Sequence, residues 1–284
     1  MSAHPAADPA ADPALAAFLS AYDDALARWP VPTEALDVRT PHGTTRVNAC
    51  GPRDGRPVVL LHGGGATSAC WSANVAALAR AGHRVLAVDL IGDPGRSVPS
   101  GTPLDVPTAD LVGHSYGGWT ALRYALHAPA RVGRLVLLDP TQCFAGFRPG
   151  YLLRVLPLFV PPRTAAKARS YLDWESGGTA LDPTWRELYA LGYAGFPAAR
   201  PVTGPRPTRQ RLQALTAPVL VLFAERSRTH DAAALADRTR RLLPSATVAV
   251  LPETSHHTLP AARPDELNRH LTTFLAPDPD HGPG

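Results

Sequence analysis

Short apolar runs at regular intervals constrain this chain more than any other feature. RPVVLLHG, RVLAVDL, DLVGHS, RLVLLD, APVLVLFAE and ATVAVLPE alternate with amphipathic stretches such as WSANVAALARAG, WTALRYALH and DAAALADRTRRLL. A near-continuous apolar run is what a strand buried on both faces requires, because neither set of alternating side chains meets water. Strand, helix and strand in alternation assemble as a parallel sheet flanked by helices. The expectation is an α/β protein with a mostly parallel central sheet and helices on both faces. LDVRT and TTRVNAC, joined by PHG, add a hairpin ahead of these runs, and ALAAFLSAYDDALARW gives a helix that stops before Pro30. PDELNRHLTTFLA makes a terminal helix.

From Thr141 to about residue 214 the rhythm changes to helix-like, aromatic-rich segments broken by prolines. An insertion there leaves the carboxyl end of the strand RLVLLD, the side of a parallel sheet where ligands bind. The expected organisation is a disordered tail and helix over 1–35, a core over 36–140 and 215–276, an inserted helical cap over 141–214, and a disordered tail over 277–284. Tyr151, Trp174 and Trp185 either line a pocket in this cap or form the cap's own core.

Composition narrows the function classes. The net charge of +4 is carried almost wholly by arginines scattered among alanines and prolines, with Lys167 the sole lysine. A nucleic-acid partner would need a basic face with interleaved aromatics, and no such stripe is present. Cys50, Cys70 and Cys143 are sparse and odd in number, which argues against a disulfide framework and a zinc site. No run approaches the ~20 apolar residues of a membrane span. The N-terminal stretch lacks the basic and apolar regions of a secretory signal. A cytoplasmic chain, monomeric by default, with no membrane or nucleic-acid partner, metal or cofactor is expected.

Gly113-His114-Ser115-Tyr116-Gly117 follows a predicted strand and opens a predicted helix. In that context G-x-S-x-G is a nucleophile elbow: the turn is too sharp for Cβ atoms beside the serine, whose hydroxyl projects above the sheet. A serine hydroxyl needs a base. Among eleven histidines, His256 stands just past the strand ATVAVLP, where a loop from the same sheet edge can reach Ser115. His257 is the runner-up, and His83, His127 and His270 fall on or beside helices and are expected at the surface. LLHGGG at a neighbouring strand end suits an oxyanion loop, with the N–H groups of Gly64 and Tyr116 as donors.

The order LLHGGG, VDLIGDPGRS, GHSYGG, APVLVLFAERS and ETSHH resembles the α/β-hydrolase superfamily over about residues 36 to 276. RWPVP, TPHGTTRVNACGPRDGRPVVLLHG and AVDLIGDPGRS are similar to bacterial carboxylesterases of the naproxen-esterase type. The resemblance implies the α/β-hydrolase fold and hydrolysis of a small-molecule ester through an acyl-serine, without fixing the substrate. Two departures follow. Where the family usually carries its acid, Ala224-Glu225-Arg226-Ser227 has a serine. Asp139 at the end of RLVLLD is the first substitute and Asp231 the second, while Glu225 is expected to face away. Asp139 could instead merely start the turn into the cap, and Asp231 merely cap a helix. Second, Pro99, Pro103 and Pro107 argue against the helix that such proteins place before the nucleophile strand. The connection can still be made, since nineteen residues from Ile91 to Ala109 reach up to ~60 Å. A lower stability is expected unless another segment covers that face of the sheet.

The sequence thus points to a carboxylesterase-like serine hydrolase with Ser115, His256 and Asp139, or failing that Asp231. A peptidase, thioesterase, lactonase or C–C-bond hydrolase on the same scaffold is the enzymatic alternative. A non-catalytic relative, suggested by Ser227 and the proline-rich connection, is the other.

Overall fold

The computed structural model describes residues 13–40, 42–98, 108–196 and 204–276. Segments 1–12 and 277–284, expected as disordered tails, and most of the proline-rich connection, 99–107, lie outside the described residues.

Eight strands form one sheet: β1 (Glu34–Thr40), β2 (Gly43–Cys50), β3 (Arg56–Leu61), β4 (His83–Val88), β5 (Ala109–His114), β6 (Val132–Leu138), β7 (Val219–Ala224) and β8 (Thr247–Leu251). Their order across the sheet is β1-β2-β4-β3-β5-β6-β7-β8. The hairpin β1–β2 pairs antiparallel, as does β2 with β4, and every later neighbour pairs parallel. Placing β5 beside β3 and β6 beside β5 brings the carboxyl ends of these strands, where chemistry-bearing loops begin, to one edge.

Two-sided burial explains why β5, β6 and β7 read as apolar runs, whereas β4 alternates and the edge strand β8 is only partly buried. Val136, Leu138, Leu220 and Leu222 point to one face, together with Leu267, Leu271 and Leu275 of the last helix. Leu135, Leu137, Val221 and Phe223 point to the other, where Leu122 and Leu235 pack. The first face is covered by α2 (Ser72–Arg80) and α10 (Pro264–Leu275), the second by α3 (Tyr116–His127) and α8 (Ala232–Leu242). Each fully buried leucine contributes about 1.5–3 kcal/mol. On the α3 side of β4, Leu86, Val88 and Leu90 stay half-buried, whereas Val85 and Ala87 opposite them are fully buried. This is the face that a connection without a helix would leave short of cover.

Between β6 and β7 the chain forms the cap helices α4 (Pro149–Val155), α5 (Ala165–Ser176) and α6 (Pro183–Gly195), then a short α7 (Arg209–Gln213). A single helical turn, α9 (Leu259–Ala262), precedes α10. The N-terminal helix α1 (Pro13–Ala27) packs on the cap through Phe18, whose ring meets Phe196 edge-on at 4.6 Å. Tyr22 ties the same helix to the sheet, donating to Asp89 at 2.8 Å. His83, expected at the surface, is buried at the start of β4. Cys50, Cys70 and Cys143 are free and buried, and burial pushes the Cys50 thiol up to about 11.

Candidate active site

Ser115 sits between β5 and α3 at φ 54°, ψ −116°. A non-glycine residue in such a conformation costs about 1–3 kcal/mol and persists only where its surroundings fix it. Here its N–H donates to Leu138 O at 3.0 Å and its carbonyl accepts from Trp119 N at 3.1 Å. The flanking glycines are steric requirements. A Cβ on Gly113 would lie 2.3 Å from Gly117 O, and one on Gly117 would lie 2.3 Å from Leu61 O.

His256 reaches this serine from the loop after β8. Its Nε2 is 2.8 Å from Ser115 Oγ, and its Nδ1 is 2.6 Å from Asp139 Oδ2. Ser115 is 8% exposed, His256 2% and Asp139 0%, so the line is shielded from bulk water. Asp139 follows β6 at φ 41°. Four donors converge on its carboxylate: Ala224 N–H at 3.1 Å and His230 Nε2 at 2.7 Å on Oδ1, Ser227 Oγ at 2.8 Å and His256 Nδ1 on Oδ2. Burial pushes the Asp139 carboxyl up, but His230 and His256 outweigh it and hold the group well below the usual carboxylate range. An ionised Asp139 fixes the proton on His256 Nδ1 and leaves Nε2 to accept the serine proton.

The other sequence candidates lie elsewhere. Asp231 caps α8, accepting from Ala234 N–H at 3.0 Å, and does not approach His256. Glu225 is exposed and accepts from Glu253 N–H. Ser227, in the loop that follows β7, lends its hydroxyl to Asp139. His257 turns into the cap, with Nε2 3.0 Å from Tyr171 Oη, which in turn is 3.0 Å from Tyr151 Oη. Burial, then the neighbouring His256 and His114, hold His257 well below the ordinary histidine range. Tyr151 and Trp174 pack in the cap's own aromatic cluster.

The glycine turn after β3 lies against the elbow. A Cβ on Gly64 would come 3.7 Å from Tyr116 Cβ. Gly65 N–H is committed to Asp93 Oδ1 at 3.0 Å, whereas Gly64 N–H has no acceptor among the described residues. His62 braces the turn. Its Nε2 accepts from Leu90 N–H at 3.0 Å, which leaves Nδ1–H to donate to Gly63 O at 2.8 Å.

Three supporting residues escape the sequence reading. His230 and Ser227 steady the Asp139 carboxylate, and Glu175, fully buried on cap helix α5, grips the His256 loop. Glu175 Oε1 accepts from His256 N–H at 2.9 Å; Oε2 accepts from Ser255 Oγ at 2.9 Å and from His257 N–H at 3.1 Å. On the other side of the loop, His114 Nε2–H donates to His256 O at 2.7 Å. Burial, then the charge of His256, push His114 down to about 3, so it is a neutral donor.

Burial lowers the basicity of His256, but the Asp139 hydrogen bond and charge, with the charge of Glu175, raise it above the ordinary histidine value. Neutral imidazole is the form able to take a proton, so ester turnover is expected to fall as pH drops through that raised value. In Glu175→Gln one supporting charge is gone, and the acid limb of kcat/KM is expected to move to lower pH. An amide also cannot accept all three donors, and kcat/KM should fall about 10- to 100-fold, from charge-assisted bonds of roughly 1.5–3 kcal/mol each. A loss of activity with an unmoved acid limb would mean that Glu175 acts through shape alone.

A cavity of about 130 Å³ opens beside the site, lined by Gly63, Ala66, His114, Leu181, Trp185 and His257 among others. It reaches the residues flanking Ser115 in space, although Ser115 and His256 do not themselves line it. Its walls are mostly apolar.

Residues 58–270 match the sequence profile of the alpha/beta hydrolase family. The chain belongs to the α/β-hydrolase family. This hydrolase is 31% identical over 282 residues to carboxylesterase YbfK of Bacillus subtilis, covering 91% of this chain and 93% of that one. Against the crystal structure of carboxylesterase CesB (YbfK) from Bacillus subtilis the TM-score is 0.85 at 29% identity, covering 93% of this hydrolase and 99% of that chain. Naproxen esterase from Bacillus subtilis shares the fold, with a TM-score of 0.79 at 24% identity over 91% of this chain and 96% of the other. Among the described residues of this hydrolase no helix is long and apolar enough to cross a membrane.

Proposed function

We propose that this α/β-hydrolase cleaves small-molecule carboxylic esters through an acyl-serine, with Ser115 as nucleophile, His256 as general base and acid, and Asp139 as the acid that orients it. The single observation that carries the reading is the unbroken line from Ser115 Oγ to His256 at 2.8 Å and on to Asp139 at 2.6 Å. As Ser115 Oγ bonds to the ester carbonyl carbon, its proton passes to His256 Nε2 and the imidazolium is stabilised by Asp139. The developing oxyanion is received by the N–H groups of Gly64 and Tyr116. His256 then protonates the departing alcohol. Water, deprotonated by the same nitrogen, attacks the acyl carbon, releases the acid and restores Ser115. No metal or cofactor enters these steps. The printed names of the relatives support an ester as the substrate class. A monomer in the cytoplasm is part of the same reading.

A non-catalytic reading rests on Ser227 standing where the family keeps its acid and on the proline-rich connection. The 2.6 Å contact between Asp139 and His256 supports the catalytic reading against the first of these grounds.

Turnover of p-nitrophenyl acetate, butyrate and octanoate tests the proposal. Hydrolysis with kcat of about 1–10³ s⁻¹ is expected on the best of the three. A folded protein that turns over none of them would overturn the reading.

A further inference from the structure

Five of the seven large apolar side chains exposed among the described residues fall in one short stretch of the cap: Leu152, Leu153, Leu156, Phe159 and Val160. Leu153 is 73% exposed and Phe159 68%. Leu152 and Leu153 lie on α4, Leu156 and Phe159 on the 3₁₀ turn that continues it, Leu156–Phe159, and Val160 follows directly. Scattered apolar residues are ordinary on a soluble surface, but a contiguous group marks an interaction site.

The charges in this stretch of the chain have one sign. From Pro140 to Leu172 every charged residue is a cation: Arg148, Arg154, Arg163, Lys167 and Arg169. Among the described residues only Arg169 has an ion-pair partner, Glu187. Arg148 and Arg154 are exposed, the first preceding Leu152 in the chain and the second lying between Leu153 and Leu156, with its guanidinium over the Trp174 ring at 5.6 Å. Arg163 stacks on Tyr193 at 4.3 Å, and Lys167 donates to Val160 O at 2.8 Å, which holds the end of the ridge in shape.

An apolar ridge accompanied by exposed cations, of which Arg148 and Arg154 have no ion-pair partner among the described residues, is complementary to a surface that offers hydrocarbon below a layer of anionic headgroups. A second copy of the chain fits it less well, since a two-fold contact would set Arg148 and Arg154 against their own counterparts. We propose that the α4 ridge docks on an anionic lipid surface, with Leu152, Leu153, Leu156, Phe159 and Val160 entering the headgroup layer and Arg148 and Arg154 meeting lipid phosphates. Binding of this kind needs no spanning helix, and it gives the chain a membrane partner where the sequence leads one to expect none. The ridge belongs to the cap and is separate from the Ser115 line, so the proposal stands or falls independently of the esterase reading.

Co-sedimentation with vesicles tests it. The wild-type protein is expected to sediment with phosphatidylglycerol–phosphatidylcholine vesicles and to stay in solution with phosphatidylcholine alone. Leu153→Ser with Phe159→Ser removes apolar contact without changing charge, and should weaken binding at least about ten-fold. Arg148→Gln with Arg154→Gln should weaken it further at low salt, by roughly five-fold per cation. Both double variants alter exposed side chains, and their melting temperatures should match wild type and report intact folding. Three results would overturn the proposal: no wild-type binding to anionic vesicles, binding untouched by the serine substitutions, or a dimer in sedimentation velocity that those substitutions abolish.

Discussion

Ser115→Ala is expected to lower kcat/KM for a p-nitrophenyl ester by about 10⁵-fold, the largest effect of any single change in this chain. Among the described residues Ser115 Oγ has one hydrogen-bond partner, His256 Nε2, so its removal deletes the attacking atom and leaves the surrounding network intact. The backbone at φ 54° is held by bonds to Leu138 and Trp119, neither of which uses the side chain. The variant should therefore melt close to wild type. His256→Ala is expected to cost a comparable factor, because the serine without its base is an ordinary alcohol. The double variant should be no worse than Ser115→Ala alone, since residues that act as a unit lose their effect together. Multiplying losses in steady-state kinetics would contradict a shared proton path.

Asp139→Asn should reduce kcat by about 10⁴-fold, whereas Asp231→Ala should leave turnover within about two-fold. All four neighbours of the Asp139 carboxylate present an N–H or O–H in the wild-type network. Whichever way an asparagine amide is turned, its –NH₂ meets two of them. If that nitrogen faces His256, Nδ1 must accept, the proton moves to Nε2, and Ser115 loses its base. Asp231→Ala instead removes the N-cap of α8, a stability loss of about 0.5–2 kcal/mol readable as a lower Tm at unchanged kcat. Equal kinetic losses in the two variants would reopen the assignment of the acid.

These two aspartates also show where sequence reasoning stops. Strand burial on both faces leaves continuous apolar runs at β5, β6 and β7, and the elbow at Ser115 is written in consecutive letters, so both are legible. His256 is legible because it follows the last strand directly. The acid is a different matter. β6 and β7 are neighbours in register, with Leu138 opposite Leu222, so Asp139 and the Ser227 loop arrive at the same place from adjacent strands. Either could carry a carboxylate to His256, and residue order alone does not separate them. Glu175 and His230 are less legible still. The first lies 81 residues from the amide it holds, and the second 91 from the carboxylate it touches. No local pattern records a pairing made by packing the cap on the sheet. His83 misled for the opposite reason: a residue next to a helix end turned out to be the first residue of a buried strand.

The cap carries both a fixed and an exposed element. Glu175 anchors it to the catalytic loop from within, while the leucine ridge of α4 faces outward. A change at the ridge should alter where the protein resides without altering the Ser115 line, and a change at Glu175 should do the reverse.

Labelling with a fluorophosphonate, followed by peptide mass analysis, probes most directly whether His256 makes Ser115 reactive. One phosphonate per chain is expected on the peptide that contains Ser115 in the wild-type protein, with labelling lost in His256→Ala. A folded wild-type protein that takes no label, or undiminished labelling of His256→Ala, would contradict it.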